Sequence, residues 1–514
     1  LAKAIDTIIR HSMMMTIGTL TSRILGLIRE TIIAAFFGAT RQLDAFLVAY
    51  TLANLARQLL AEGALSATFV PIFSRALSRH GKDRAKELGR QATTVLIVAG
   101  SCVVLLGMIF SPQLVSLIAP GFSGDEARLA TLFTRRLFPF LLIISLSALV
   151  MGVLNSLGSF FVPAIAPAVS NVVFICVALF FCERYGISIL PIAVLAGGIS
   201  QFCVQWIWSA LKGFALYPTK IDRSDEDLRT MMRLFLPYVV GLSFNQLHPV
   251  ISRVAGSFLE AGSISVLNYA DRLLQLPLGL FVIAISQAVL PTLSRASSNS
   301  EEFIEIFRDS LRFTFFLILP IEIMAVIFSP EAVNCVFYRG AFGDWAWKAT
   351  SWCFAIYSLG LLGMALTNVT LRAIYAYGLP KGAMFVTSSA VLVNFLISIS
   401  SMKWLSYRGL ALGVACGFTS GAFLGIGYLS KATGKLGIFD LKWCAKLALS
   451  ACALILVSLT YKLLLPYPSL GSTIIKALWL VGAGILGAIV YAVATLLCRL
   501  QEWKWIARSI KGAD

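Results

Sequence analysis

The chain has 514 residues, of which 58% are hydrophobic and only 13% charged, and its mean hydropathy is +0.85. A soluble protein carries roughly twice that share of charge, and apolar runs of spanning length recur from end to end, so the composition excludes a soluble domain with one anchor and indicates an all-α polytopic membrane protein. The formal net charge of +17 suggests an anionic counter-surface, but its confinement to alternate loops points to lipid headgroups and not to nucleic acid.

Leu1 to Ser12 carry Lys3, Asp6 and Arg10 with no small-residue exit after them, so this stretch reads as a cytoplasmic lead-in and not as a cleaved signal. Fourteen spans are expected, near 13–37, 43–72, 91–118, 128–157, 160–182, 187–211, 231–258, 264–290, 311–336, 345–375, 383–402, 407–429, 444–463 and 474–498. Arg75, Arg79, Lys82, Arg84, Lys86 and Arg90 fill one expected loop, Lys212, Lys220, Arg223, Arg229 and Arg233 a second, and Lys431, Lys435, Lys442 and Lys446 a third. Arg499, Lys504, Arg508 and Lys511 follow the last span, whereas the loop from Leu464 to Ser472 is poor in basic residues. That alternation places both termini in the cytoplasm.

Charges inside the spans carry the functional signal, because each costs about 2.5–3.5 kcal/mol at a helix centre unless it meets a wet cavity, a partner or a substrate. On the first span Ser22 and Arg29 are seven residues apart, as are Arg23 and Glu30, so each pair shares a helix face, with Gly26 between them. The second span presents Thr51, Asn54, Gln58 and Glu62 as a polar stripe, Arg57 at its edge and Asp44 near its outer end. The seventh carries Arg253 after Asn245, Gln246 and His248, and the eighth Asn268, Asp271, Arg272 and Gln275. Pairs such as Arg23 with Glu30, or Arg272 with Asp271, could serve as structural bridges between helices. As a set, however, Arg23, Arg29, Arg57, Arg253 and Arg272 outnumber Glu30, Glu62 and Asp271, and surplus guanidinium groups suit bidentate capture of phosphate or carboxylate. A di-anion such as a pyrophosphate is the expected ligand.

The chain also repeats itself. Ile109-Phe110-Ser111-Pro112 recurs as Ile327-Phe328-Ser329-Pro330 at an offset of 218, and Gly124-Asp125 with Ala130-Thr131 recurs as Gly343-Asp344 with Ala349-Thr350 at 219. Pro71-x-x-Ser74-Arg75 recurs as Pro291-x-x-Ser294-Arg295 at 220. Three matches in one order predict two homologous six-span lobes of like orientation, residues 1–220 and 221–435, followed by two further spans and a cytoplasmic tail over 436–514. No phosphate-binding glycine loop, nucleophile elbow or metal-spaced His/Cys/Asp set is present, and the ten cysteines contain no CxxC pair, so the reading is a transporter and not an enzyme.

At this point the residues resemble a known family. Thr21-Ser22-Arg23-x-x-Gly26-x-x-Arg29-Glu30, Asp44-Ala45-Phe46, Asn54-Leu55-x-Arg57, Ala61-Glu62-Gly63-Ala64 and Phe69-Val70-Pro71 look like the opening spans of the MurJ (MviN) lipid II flippase family. Tyr269-Ala270-Asp271-Arg272-x-x-x-x-Pro277-x-Gly279 and Leu290-Pro291-x-Leu293-Ser294 look like its eighth span. The family belongs to the multidrug/oligosaccharidyl-lipid/polysaccharide exporter superfamily. The resemblance implies a flippase of the bacterial inner membrane, moving the undecaprenyl-pyrophosphate-linked peptidoglycan precursor lipid II by alternating access, with membrane lipids and cell-wall synthesis proteins as further partners. It implies that Arg23, Arg29 and Arg272 hold the pyrophosphate and sugar headgroup, that Arg57, Asp44 and Glu62 are functionally sensitive, and that Asp44 and Glu62 act as gating partners. No cofactor is implied. Where some members hold sodium with acidic groups, this chain has Ser252 and Ser398, with Asn394 alone matching, which leaves at most a weak cation site. Flippases for O-antigen or teichoic precursors share the anionic carrier, a multidrug exporter would want an acidic cavity, and a cell-wall scaffold would depend on its basic loops instead.

Overall fold

The structure, a computed structural model, describes residues 2–59, 65–243, 246–434, 437, 440–469 and 471–505, apart from the side chains of 2–17, 19, 240–243 and 283–284. Among the described residues the regular structure is helical throughout, and ten segments are long and apolar enough to cross a membrane. Large apolar side chains such as Phe180, Trp404, Leu463 and Leu497 point outward, as a lipid-facing surface requires. The chain divides into two compact units, Leu1–Ser265 and Val266–Asp514.

The first unit contains α1 (Ala2–Phe37), α2 (Arg41–Ala56), α3 (Ser66–Ile109), α4 (Ser111–Ile118), α5 (Gly124–Ser156), α6 (Phe161–Tyr185), α7 (Leu190–Leu211), α8 (Glu226–Ser243) and α9 (Leu247–Gly256). Helix α1 packs on α6, α6 on α7, and α5 lies against α2, α3 and α7, which makes α5 the buried centre. Thr40 starts α2, its hydroxyl accepting the Leu43 N–H at 3.4 Å. Beyond Ala56 the winding widens to a π turn at Arg57–Leu59, the kind of irregularity found at functional sites. The strip 221–265, assigned to the second lobe by the sequence repeat, packs here on the first unit.

Residues 73–90, expected as a loop, are helical. Helix α3 runs through them with one corner at Gly81, whose φ of 83° needs a residue without Cβ. The Arg/Lys/Ala/Glu/Leu composition there favours helix, and its positive charge reported location, not conformation.

The second unit contains α10 (Ser263–Pro277), whose first turn still belongs to the first unit, then α11 (Ile283–Ala296), α12 (Ser300–Ile327), α13 (Ser329–Phe337), α14 (Asp344–Ser358), α15 (Leu361–Ala376), α16 (Pro380–Leu405), α17 (Tyr407–Thr433), α18 (Leu441–Leu464) and α19 (Thr473–Leu497). The repeated sequence motifs fold alike. Ile109 and Ile327 each end a long helix, Phe110 (φ −86°, ψ 14°) and Phe328 (φ −98°, ψ 17°) turn the corner, and Ser-Pro starts the short helices α4 and α13. Gly124-Asp125 and Gly343-Asp344 then open α5 and α14. The expected span 345–375 is broken between Ser358 and Leu361, where Glu322 of α12 accepts the Leu362 N–H at 2.8 Å and so caps α15. Helices α18 and α19 pack on α12 through Phe316, Trp443, Leu447, Leu454 and Tyr491.

Candidate functional site

In the first unit the charged residues of α1 are held against α6. Arg29 is 17% exposed at its side chain; Nη2 meets Glu30 Oε1 at 2.9 Å and Nη1 donates to Asn171 Oδ1 at 3.2 Å. Its guanidinium carbon lies 5.3 Å from the centre of the Phe174 ring, and the Tyr50 side chain also hydrogen-bonds to it. Asn171 Nδ2 donates in turn to the carbonyl of Ser22 at 3.1 Å, so one amide from α6 grips α1 at two levels a helical turn or more apart. A Cβ on Gly26 would sit 3.9 Å from Asn171 Nδ2, an ordinary contact, so the approach of the two helices does not require glycine there. Arg29 Nε faces the interior without a hydrogen bond among the described residues. Arg23 and Ser22 are half-buried on the same helix.

On α2 and α9 the pattern continues. Arg57 Nε donates to Asn54 Oδ1 at 2.9 Å. Arg253 Nε donates to Thr51 Oγ1 at 3.0 Å and its Nη1 to the carbonyl of Ile264 at 3.2 Å. Asp44 is wholly buried, and both its oxygens are committed: Oδ2 accepts the Gly262 N–H at 2.7 Å, and Oδ1 accepts the Ser265 N–H at 2.8 Å and its hydroxyl at 2.6 Å. It thereby caps the first turn of α10, a favoured place for negative charge. Nearby, Arg41 Nε pairs with Glu126 Oε1 at 2.8 Å while Nη1 donates to the Leu259 carbonyl at 3.1 Å.

In the second unit Asp271 and Arg272 share one neighbour. Gln275 Nε2 donates to Asp271 Oδ2 at 2.6 Å, and Arg272 Nη1 donates to Gln275 Oε1 at 3.2 Å. Asn268, a turn earlier on α10, is buried. Ser398 Oγ donates to Asn394 Oδ1 at 3.0 Å, and both are sealed against α17 beneath Gly413 and Gly417. In the first unit the Ser252 hydroxyl donates to the His248 carbonyl on its own helix at 3.4 Å. Glu62 and Asn245 lie outside the described residues.

Four contributors escaped sequence reasoning: Tyr50, Asn171, Gly262 and Ser265. A lone asparagine inside the apolar run 160–182 was the one visible signal. The other three become meaningful only through tertiary contact. Chemically, Glu30 meets the guanidinium of Arg29, whereas the Asp44 charge meets backbone and hydroxyl donors and no arginine in these contacts.

Fold and site together define a polytopic, all-helical membrane transport protein. The fold is that of a solved multidrug resistance MATE family transporter of the MOP superfamily in an inward-facing conformation, at a TM-score of 0.69 and 15% identity over 81% of this chain and 95% of that one. A solved lipid II flippase MurJ in an inward closed conformation matches at a TM-score of 0.79 and 25% identity, covering 94% of this chain and 98% of that one. Lipid II flippase MurJ of Burkholderia cenocepacia is 33% identical over 411 residues, 78% of this chain and 79% of the relative. The family model "Lipid II flippase MurJ" matches residues 33–482, and the chain belongs to that family.

Proposed function

We propose that the protein moves lipid II, a lipid-linked peptidoglycan precursor, from the inner to the outer leaflet of the bacterial cytoplasmic membrane. The observation that carries this reading is the surplus of half-buried arginines on apolar helices, in a chain of the lipid II flippase family. Arg23, Arg29, Arg57, Arg253 and Arg272 bind the pyrophosphate and headgroup. A planar, permanently charged fork suits a pyrophosphate better than a lysine would. The chain crosses the membrane fourteen times with both termini in the cytoplasm, as two six-span lobes (1–220 and 221–435) followed by spans 13 and 14, along which the lipid tail lies. The lobes alternate access. Asp44, joined to Gly262 and Ser265 within the first unit, gates the outer side, and Glu62 is its gating counterpart. Charge neutralisation by the bound pyrophosphate favours closure of the inner side, because like charges no longer oppose the approach of the arginine-bearing helices.

The test is depletion and complementation in a bacterium, with lipid II accessibility read at the outer leaflet. The wild-type gene restores exposure, while Arg23→Ala, Arg29→Ala and Arg272→Ala insert normally and lower it at least about tenfold, as loss of charge-assisted contacts implies. Normal exposure by all three variants would sink the anion-binding role. A wild-type protein that inserts but leaves lipid II inside would sink the lipid II assignment in favour of another carrier-linked oligosaccharide.

A further inference from the structure

A second cationic cluster lies in the second unit, remote in sequence from the arginines above, where α13 meets the α18–α19 turn. Lys476, in the first turn of α19, is only 9% exposed, and its ammonium donates to Asn334 Oδ1 at 3.0 Å. Among the described residues no carboxylate lies within ion-pair distance of it. Its placement is doubly unfavourable: the charge is buried behind a single amide partner, and it stands at the helix end whose dipole already favours anions. Arg339 adds a further positive charge, its Nη2 donating to the Cys335 carbonyl at 2.6 Å, next to Asn334. The nearest acid is already engaged. Glu331 Oε1 pairs with Lys462 at 2.8 Å, whereas its other oxygen, equally buried, has no partner among the described residues. Tyr467 reaches the Glu331 carbonyl at 3.3 Å and Asn334 Oδ1 at 3.2 Å, which joins these groups into one site. Trp479 packs on Tyr467 and Tyr461, in the manner of aromatics at headgroup level.

We propose that this cluster binds the phosphate of an outer-leaflet phospholipid headgroup, with Lys476 and Arg339 on the phosphate and Glu331 Oε2 accepting from the headgroup's hydroxyl or ammonium. A phosphate ester bearing a hydrogen-bond donor meets both orphan requirements, the excess positive charge and the unfilled acceptor. The proposal rests on the topology given above, which puts this end of α19 at the outer face.

Purified full-length protein in detergent is titrated with phosphatidylglycerol, with diacylglycerol of the same chains, and with inorganic phosphate, following retained adducts by native mass spectrometry and thermal stability in parallel. Phosphatidylglycerol binds and raises the melting temperature; diacylglycerol does not; Lys476→Met and Arg339→Gln each weaken the lipid at least about tenfold. Stabilisation by inorganic phosphate in the same residues' keeping would assign the site to free phosphate and overturn its lipid assignment. Equal binding of phosphatidylglycerol and diacylglycerol, or full binding by both variants, would overturn the site altogether. If Lys476→Met fails to fold, Arg339→Gln at the half-exposed rim carries the test. Lipid II exposure measured on Arg339→Gln keeps the two readings apart, since headgroup binding can fail while flipping persists, and the reverse.

Discussion

Asp44 illustrates how much one side chain can hold. Three donors converge on a carboxylate with no exposed surface, and charge-assisted hydrogen bonds of this kind contribute about 1.5–3 kcal/mol each. Asp44→Asn keeps the shape but presents an NH₂ to at least one of those donors. Thermal unfolding in detergent should show a loss of about 1–3 kcal/mol, and an unchanged midpoint would mean that the cap at α10 is dispensable. The arginines were legible in the sequence because a charge inside an apolar run is a one-dimensional signal. Their partners were not: Asn171 is 142 residues from Arg29, and Ser265 is 221 from Asp44. Spacing along the helix placed Glu30 on a face with Arg23 but gave no hint of its contact with its immediate neighbour Arg29.

Helices were legible wherever hydropathy alone decides, as in α16, α17, α18 and α19, and less so where a helix breaks or continues without changing its apolar character. The corners at Phe110 and Phe328 lie inside expected spans, and the corner at Gly81 interrupts what was read as a loop. Helices α16 and α17 pack closely along their lengths. A Cβ on Gly413 would run into Ser398 Oγ and stand 2.8 Å from the Asn394 carbonyl oxygen. Gly413→Val should therefore force the two helices apart at a cost of about 1–3 kcal/mol, read as a lower midpoint of thermal unfolding. Gly427→Val, where a Cβ meets open space on the same helix, is the matched control and should not lower the midpoint.

For the whole molecule, composition already indicated a helical membrane protein, whereas the repeat at an offset of 218–220 could not show which contacts hold each part of the chain. Residues 221–228 are fastened to α3 by Arg84, whose Nη1 and Nη2 each lie 2.7 Å from an oxygen of Asp225. That guanidinium holds the Asp225 carboxyl below its ordinary range, against the opposing effect of burial. The native state thus binds this proton more weakly than the unfolded chain, so the stabilisation is complete above the ordinary carboxylate pKa and fades as pH falls through the depressed one. Melting temperature should stay level from about pH 7 to 5 and drop below about pH 4, and Asp225→Asn should flatten that drop. A variant as acid-sensitive as the parent would remove Asp225 from the account.

The division at Ser265/Val266 falls inside α10, one turn after its start. A hinge made of loose chain would offer proteases a cut and engineers a split point; a helix offers neither. Severing the backbone there would part Ser265, whose hydroxyl donates to Asp44, from the rest of the helix that carries Arg272. The two halves of this protein are therefore expected to resist being expressed as separate pieces, and the site tolerant of insertion should be sought elsewhere.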